Sequence, residues 1–162
     1  MVRCDAVQHQ LGFLAGDDAA APAEAPPGQV PAYVAVNHFL FDSWVHERDL
    51  LLPANELPVT EPSEAAMVAS YVVALAGLAR AADDAPPPLT LRMHLTDLDR
   101  NLLIEVADSR STVTFAAPEE PANVHAKACD LIDFATGRKI HGELHADPTA
   151  IAFLSRLATV MS

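Results

Sequence analysis

The stretch "LTLRMHLT", residues 89–96, decides the fold because its hydrophobic and polar residues alternate without interruption. Leu89, Leu91, Met93 and Leu95 occupy every second position. This period of two is typical of a strand that buries one face and leaves the other in water. The chain therefore contains a half-buried β-sheet, and the neighbouring segments indicate its extent.

Further strands follow at short intervals. "LLIEVAD", residues 102–108, and "TVTF", residues 112–115, alternate in the same way, and the turn-forming segments "DLDRN" and "DSRS" precede them. Because these turns are short, the simplest arrangement of the three strands is an antiparallel meander. "NVHAK", residues 123–127, predicts a fourth strand, and "IHGELHAD", residues 140–147, contains a last short one.

Helical patterns come before this sheet in the sequence. Pro31 suits the first turn of a helix, and the helical period continues to about Leu52. A second helix follows a Pro-rich connection. Its predicted cap is Thr60 or Ser63, and it runs to about Ala82.

Two more helices are predicted after the sheet begins. "CDLIDFATGRK", residues 129–139, predicts a short helix that Gly137 ends in a left-handed cap. "DPTAIAFLSRLATVM", residues 147–161, predicts a final helix with Asp147 as N-cap and Pro148 as first residue. The predicted class is therefore α+β: helices followed by a mainly antiparallel sheet covered by C-terminal helices.

The first thirty residues differ in composition from the rest of the chain. "GDDAAAPAEAPPGQVP", residues 16–31, is rich in Ala, Pro, Gly and acidic residues, which indicates a linker or flexible loop. A short helix is predicted within residues 2–14. We expect residues 1–30 to form an N-terminal arm and linker, and residues 31–162 to form a single α+β domain.

The composition favours a cytoplasmic protein. Only two cysteines are present, with no CxxC motif, which fits a reducing compartment. The N-terminal residues lack the apolar core of a signal peptide. The most apolar run, "AAMVASYVVALAGLA" at residues 65–79, is too short and Ala-rich for a membrane span, so we predict a core helix and no span.

The charge balance argues against nucleic acid as a partner. The chain has 10 basic and 22 acidic residues, a formal net charge of −12, and this excess repels phosphate backbones. The sequence also contains no Gly-rich phosphate loop and no G-x-S-x-G nucleophile elbow.

Polar residues interrupt the first predicted helix at helical spacing. In "NHFLFDSWVHERDL", residues 37–50, His38, Asp42 and His46 are spaced i, i+4, i+8, and Asp49 follows. Side chains four apart on a helix lie nearly above one another. A carboxylate and an imidazole in that relation can chelate a divalent transition metal. Asp42 and His46 are therefore candidate metal ligands, and a third ligand must come from elsewhere.

Other interpretations of these polar residues are open. Asp42 and His46 can hydrogen-bond each other or cap a neighbouring element. Asp49 can pair with an arginine, such as Arg48 of another chain, or be solvated near the helix end.

The sequence around these residues resembles that of a known protein family. "FDSWVHERDL" resembles the last bundle helix of the mycothiol-dependent maleylpyruvate isomerase family, in the DinB-like metal-binding superfamily, which has a stretch much like D-x-W-V-H-E-x-D. "LIDFATGRK" and "HGELHADPTAIAFLSRL" resemble the family's C-terminal domain, which is related in fold to sterol carrier proteins. In this resemblance residues 31–52 match the bundle helix and residues 60–162 the carrier-like domain.

The resemblance implies a metal-dependent thiol chemistry. Family enzymes bind a divalent metal, usually zinc, through two ligands four apart on the last bundle helix and a histidine on an earlier one. Asp42 and His46 match that pair, with Asp where characterised members have Glu. The metal activates the thiol of mycothiol, which adds to a double bond, permits rotation and leaves.

The resemblance also implies a substrate-binding arginine. In the family, an arginine of the C-terminal domain helps to hold the dicarboxylate, and Arg138 is the matching residue. Alternatively, Arg138 complements the dipole at the end of its helix.

The chain departs from the family in one large respect. The bundle helices that precede "FDSWVHERDL" are missing, and Ala146 replaces the family's Gly. We therefore expect a small-ligand-binding or accessory protein that lacks a complete active site. The alternative is a metal-dependent thiol transferase or isomerase, completed by a partner, a second copy or missing N-terminal helices. An apolar helix without its bundle predicts a homodimer through helix 31–52.

The remaining cysteine and histidine side chains are weaker candidates for functional residues. Cys129 begins a predicted helix whose dipole would lower the pKa of its thiol, or it is a small buried residue. His141 and His145 are four residues apart in the sequence. They are either a pair of metal ligands or residues on a solvent-exposed strand edge. His94 and His125 lie on the polar faces of predicted strands and are candidate neighbours across the sheet.

Overall fold

The computed structural model describes residues 21–25, 28–54, 56, 58, 60–83, 86–108, 110–116 and 121–161. The elements are, in chain order, β1 (Pro22–Ala25), β2 (Gly28–Pro31), α1 (Ala32–Leu51), a 3₁₀ turn (Leu52–Ala54), α2 (Pro62–Ala81), β3 (Leu89–Leu95), β4 (Arg100–Ala107), β5 (Arg110–Ala116), β6 (Val124–Ala126), α3 (Ala128–Ala135), β7 (Leu144–Ala146) and α4 (Pro148–Met161). The predicted α+β class is confirmed. The helix predicted within residues 2–14 lies outside the described residues.

The main sheet has five strands in the order β5-β4-β3-β6-β7. The predicted meander is confirmed, because β3 pairs antiparallel with β4, and β4 with β5. β6 adds to the other edge of β3 in parallel, and β7 then pairs antiparallel with β6. Three of these five strands, β3, β4 and β5, therefore follow from local alternation, and the positions of β6 and β7 depend on the crossover after β5.

The alternation predicted for residues 89–96 sets which face of the sheet is buried. Leu91, Met93 and Leu95 are buried, and on β4 their partners Leu102 and Ile104 are buried with them. Helix α2 packs across this face against β4 and β5, and α3 and α4 pack on α2. Among the described residues, no helix packs on the opposite face, so β3 presents Thr90, Arg92 and His94 there.

Helix α2 is the central core helix. It is long and apolar enough to cross a membrane by length and composition, but 61% of its most apolar window is buried within the fold. Its small residues allow close approach, since a Cβ at Gly77 would lie 2.0 Å from Ser111 Oγ on β5. The predicted caps Thr60 and Ser63 are wrong: Glu61 is the N-cap, because Pro62 occupies the first helical position.

Residues 22–31 differ from the linker that their composition predicts. β1 and β2 form an antiparallel hairpin that packs against α1. The amide of Ala32 donates to Ala21 O over 2.8 Å, so the hairpin is continuous with the first turn of the helix. Pro31, predicted in the first turn of the helix, is instead the N-cap residue of α1, so the helix begins one residue later, at Ala32.

The end of α3 and the start of α4 are as the sequence predicts, whereas α3 begins at Ala128, one residue before the predicted start at Cys129. Gly137 has a φ of +76°, and beyond it the Arg138 amide donates to Asp133 O over 2.7 Å, a Schellman ending of α3. Asp147 caps α4, because its Oδ1 accepts the Ala150 amide over 2.8 Å. Leu154 and Leu157 then face the core.

Candidate functional site

Helix α1 has an inner side that packs on the fold and an outer side in solvent. Phe41, Trp44 and Val45 are buried on the inner side, and Phe41 meets the ring of Tyr71 on α2 with centroids 5.7 Å apart. These apolar contacts hold α1 against α2, so the outer side is presented by a fixed helix.

Two salt bridges fasten the C-terminal half of α1 to α3 and its end. Arg48 donates from Nε to Asp133 Oδ1 over 2.7 Å and from Nη2 to Oδ2 over 2.6 Å. The next residue, Asp49, accepts from Nε and Nη2 of Arg138 over 2.7 and 2.6 Å. Both pairs are bidentate, which fixes orientation as well as proximity. Adjacent residues of opposite charge on α1 therefore meet a complementary pair near the end of α3.

Arg138, the predicted substrate-binding residue, is thus engaged by a carboxylate of its own chain. Of the alternatives for Asp49, pairing with an arginine is the one observed, and within the chain that arginine is Arg138, while Arg48 pairs with Asp133. The guanidinium of Arg138 lowers the pKa of the Asp49 carboxyl, mainly through this hydrogen bond. Both bonding nitrogens of Arg138, Nε and Nη2, are occupied by the Asp49 carboxylate in this structure.

Asp42 and His46 lie together on the outer side of α1. His46 Nε2 is 3.5 Å from Asp42 Oδ1, and 70% and 53% of the two side chains are exposed. This distance is longer than a strong charge-assisted hydrogen bond, and both groups face water. The two predicted metal ligands are therefore neighbours and accessible.

His38 does not belong with them, although it is spaced four residues before Asp42. Its Nδ1 lies 3.0 Å from the hydroxyl of Tyr71, and the ring is half-buried between α1 and α2. A four-residue step on a helix drifts by about 40°, which turns His38 toward α2. The continuous stripe suggested by spacing is in fact divided between two sides.

A third metal ligand is not found beside Asp42 and His46 in the part of the chain that the structure describes. No group of three or more His, Cys, Asp or Glu side chains within those residues is arranged to hold a metal ion. The pair is chemically suited to a divalent metal but supplies only two donors of the three or four that a zinc site requires.

Three exposed apolar side chains lie on the same outer side of α1 as the Asp42 and His46 pair. Val36, Phe39 and Leu50 are 45%, 59% and 76% exposed, and they extend the length of the helix. They account for three of the five large hydrophobic side chains that are exposed among the described residues. We call the set Val36, Phe39, Asp42, His46 and Leu50 the outer stripe.

Cys129 is half-buried at the start of α3, near Arg48. Burial raises the pKa of its thiol, the Asp130 carboxylate raises it further, and Arg48 lowers it. The direction agrees with the interpretation of a small buried residue and opposes a thiolate activated by the helix dipole.

A second group of polar side chains lies on the open face of the sheet. His94, His125 and His145 are register partners on β3, β6 and β7. A cleft of about 290 Å³ is lined by His125 and His145 together with Lys127 and Glu143. Sequence reasoning considered His94 with His125, but it grouped His145 with His141. Only the position of β6 between β3 and β7 reveals the row of three.

Comparison with known proteins adds no identification. The chain matches no protein-family model, and a search of curated protein sequences gives no match.

Proposed function

We propose that this protein is an accessory module that docks through the outer stripe of α1 onto a second copy of itself, where Asp42 and His46 contribute to a shared divalent-metal site. One observation carries the proposal: an accessible carboxylate–imidazole pair and three exposed apolar side chains lie on the same outer side of α1. The apolar residues supply docking area, and the polar pair supplies half of a metal site.

A second copy is the partner that best completes this half-site. A two-fold axis across α1 makes the contact self-complementary, so Asp42 of one chain lies near His46 of the other when the helices run antiparallel. Two donors from each chain give four, the number that tetrahedral zinc requires. The aspartates also neutralise the ion, whose charge the imidazoles alone would leave uncompensated.

We further propose that the protein binds a small acidic ligand. Arg138 is the residue that would bind its carboxylate, because the bidentate pair with Asp49 already displays the required geometry. Such a ligand must compete with Asp49. Half of the Asp49 side chain is exposed, which makes displacement of its carboxylate feasible at moderate cost.

A second candidate function is a metal-dependent thiol transferase or isomerase that uses mycothiol. The spacing of Asp42 and His46, together with the resemblance of the surrounding sequence, favours it. A metal bound there would lower the pKa of a coordinated thiol and so generate a thiolate nucleophile. This candidate needs a ligand set completed by a partner, and it differs from the accessory function by turnover of a thiol adduct.

The association is tested with two matched variants of exposed apolar helix residues. Phe39→Ser alters the outer stripe, whereas Ile151→Ser alters α4, where Ile151 is 41% exposed. We expect the wild type and Ile151→Ser to sediment as dimers at micromolar concentration, and Phe39→Ser as a monomer. A monomeric wild type with zinc present, or a dimeric Phe39→Ser, would contradict the proposal.

The metal half of the proposal is tested by zinc content of tag-free protein. We expect about one zinc per dimer that is lost in His46→Ala and in Asp42→Ala, as two donors per chain imply. His141→Gln, an exposed histidine outside both proposed sites, is the control that keeps this zinc. Equal zinc in the wild type and His46→Ala would refute the site, and catalysed isomerisation by the zinc-loaded dimer would favour the enzyme candidate.

A further inference from the structure

Three histidines form a row across the open face of the sheet. His94 on β3 is the register partner of His125 on β6, and His125 is the register partner of His145 on β7. Partners in register point to the same face, so the three imidazoles leave the sheet side by side. Helices cover the opposite face, and among the described residues none packs over this row.

The first histidine is already oriented by a neighbouring amide. His94 Nδ1 lies 2.7 Å from Asn101 Oδ1, its partner on β4. Because an amide oxygen only accepts, Nδ1 carries the proton and Nε2 keeps its lone pair free. A hydrogen bond to the other ring nitrogen is how proteins usually orient a metal-binding imidazole.

The separation of the first two rings suits a shared ion. The centroids of His94 and His125 are 5.7 Å apart, and the ring planes are inclined at 67°. Two imidazoles on one tetrahedral ion, with metal–nitrogen distances of about 2.0–2.1 Å, have centroids roughly 5 Å apart. The His125 side chain is exposed, so its ring can reorient toward an ion bound by His94.

Further donors lie at the other end of the row. His145 Nε2 is 3.2 Å from Glu143 Oε2, and both side chains are largely exposed. Together with His125 they line the cleft beside the sheet. They do not converge with His94 on one point in this conformation, but they are free to rotate toward an ion held by His94 and His125.

We infer that the open face of the sheet is a binding site for a divalent transition metal of the zinc and nickel class, chelated by His94 and His125. Imidazole is a ligand that these ions share, whereas magnesium and calcium prefer oxygen. Water fills the remaining coordination positions, and His145 or Glu143 can replace one of them. Asn101 is a positioning residue, because it fixes the His94 ring without touching the ion.

This site is independent of the one proposed on α1, since none of its residues belongs to the outer stripe. Its test therefore uses tag-free, full-length protein that carries His46→Ala, which removes the α1 half-site. Titration with NiCl₂ in a calorimeter is expected to show one Ni²⁺ per chain. Line broadening of histidine ring protons by Ni²⁺ locates the ion, and His94 and His125 should broaden first.

Three variants on that background determine the assignment. His125→Gln is expected to weaken Ni²⁺ binding at least tenfold, and Asn101→Leu about tenfold, in line with the effect of losing a residue that orients a metal ligand. His141→Gln, an exposed histidine outside the row, is expected to bind Ni²⁺ like its parent. Circular dichroism melting of each variant excludes unfolding as the cause.

Two results would overturn the inference. One is the absence of stoichiometric binding by the parent at millimolar Ni²⁺. The other is equal affinity in His125→Gln and His141→Gln, which would indicate adventitious surface binding only. Loss of zinc by His46→Ala in the preceding experiment has no bearing on either result, so the two proposals fail separately.

Discussion

Arg48 on α1 and Asp133 on α3 form a bidentate salt bridge that is almost fully buried, with 5% and 0% of their side chains exposed. Burial alone would lower the pKa of Arg48, but the hydrogen bond and charge of Asp133 raise it above its ordinary value. The guanidinium also lies over the Trp44 ring, 5.4 Å from its centroid. This pair is therefore a fixed point that joins the first helix to the C-terminal half of the fold.

We predict that Asp133→Asn severely destabilises the protein. The amide matches the carboxylate in size but leaves the buried Arg48 cation without its hydrogen-bonded counter-charge. Breaking such a pair costs about 3–5 kcal/mol. Urea unfolding of the variant should show this loss in the free energy of unfolding.

The matched control for this substitution is the double variant Arg48→Met/Asp133→Leu. It removes both charges and keeps apolar volume, so it should cost less than Asp133→Asn alone. If the free energy of unfolding of Asp133→Asn is within about 1 kcal/mol of the wild-type value, another group compensates the charge on Arg48.

The neighbouring pair, Asp49 and Arg138, is predicted to contribute far less to stability. Half of the Asp49 side chain is exposed, and exposed ion pairs are worth about 0.2–1 kcal/mol. A double-mutant cycle with Asp49→Ala and Arg138→Ala should give a coupling in that range at low salt. The coupling should decrease at 1 M NaCl, where screening acts within about 3 Å.

The same pair has a predicted pH dependence. Because the folded-state pKa of Asp49 is lowered, its contribution is fully present above the unfolded value of about 3.9 and is lost as the pH falls through the folded pKa. If the coupling energy between Asp49 and Arg138 is the same at pH 2.5 as at neutral pH, the Asp49 carboxylate is not its source.

Local signals in the sequence were sufficient for most of the secondary structure. The period-two alternation of residues 89–96 identified β3 and its buried face, and Gly137 and Asp147 marked helix boundaries correctly. Each of these signals depends on residues that are close together in the chain. Alternation acts within one strand, and a cap acts on the adjacent helical turn. The α+β class followed from their order.

Long-range pairings could not be predicted in this way. Arg48 and Asp133 are 85 residues apart, and Asp49 and Arg138 are 89 apart. Periodicity places a charge on a helix face, but it does not say which distant group lies opposite. The same reason explains His38, whose partner Tyr71 on α2 comes from packing and not from the four-residue spacing that suggested a single stripe.

Cys129 is predicted to be a slow thiol. Burial raises its pKa, so a smaller fraction is thiolate at neutral pH than in an ordinary cysteine. In a Cys4→Ser variant, which leaves Cys129 as the single thiol, reaction with a disulfide reagent at pH 8 should be at least tenfold slower than that of glutathione. The same variant in 8 M urea should react at the ordinary rate. Fast reaction in the folded state would instead indicate a thiolate stabilised by Arg48.

Asp147 is predicted to stabilise α4 in a pH-dependent way. Its Oδ1 accepts the Ala150 amide, and its Oδ2 accepts a hydrogen bond from Asn123 Nδ2 over 2.8 Å. These bonds lower the pKa of the carboxyl, the backbone bond most of all. Asp147→Ala should lower the free energy of unfolding by about 0.5–2 kcal/mol at pH 7.

Asp147→Asn removes the charge and keeps the Ala150 bond, which the amide oxygen can still accept, but its amide nitrogen cannot accept the bond that Asn123 Nδ2 donates. The variant's free energy of unfolding should differ most from that of the wild type above about pH 4, near the unfolded pKa of Asp. This difference should vanish as the pH falls through the lowered folded pKa. Urea unfolding at pH 6 and pH 2.5 measures it, with Glu105→Gln, an exposed carboxylate on β4, as the control. A difference that is the same at both pH values would mean that shape, and not charge, makes Asp147 the cap.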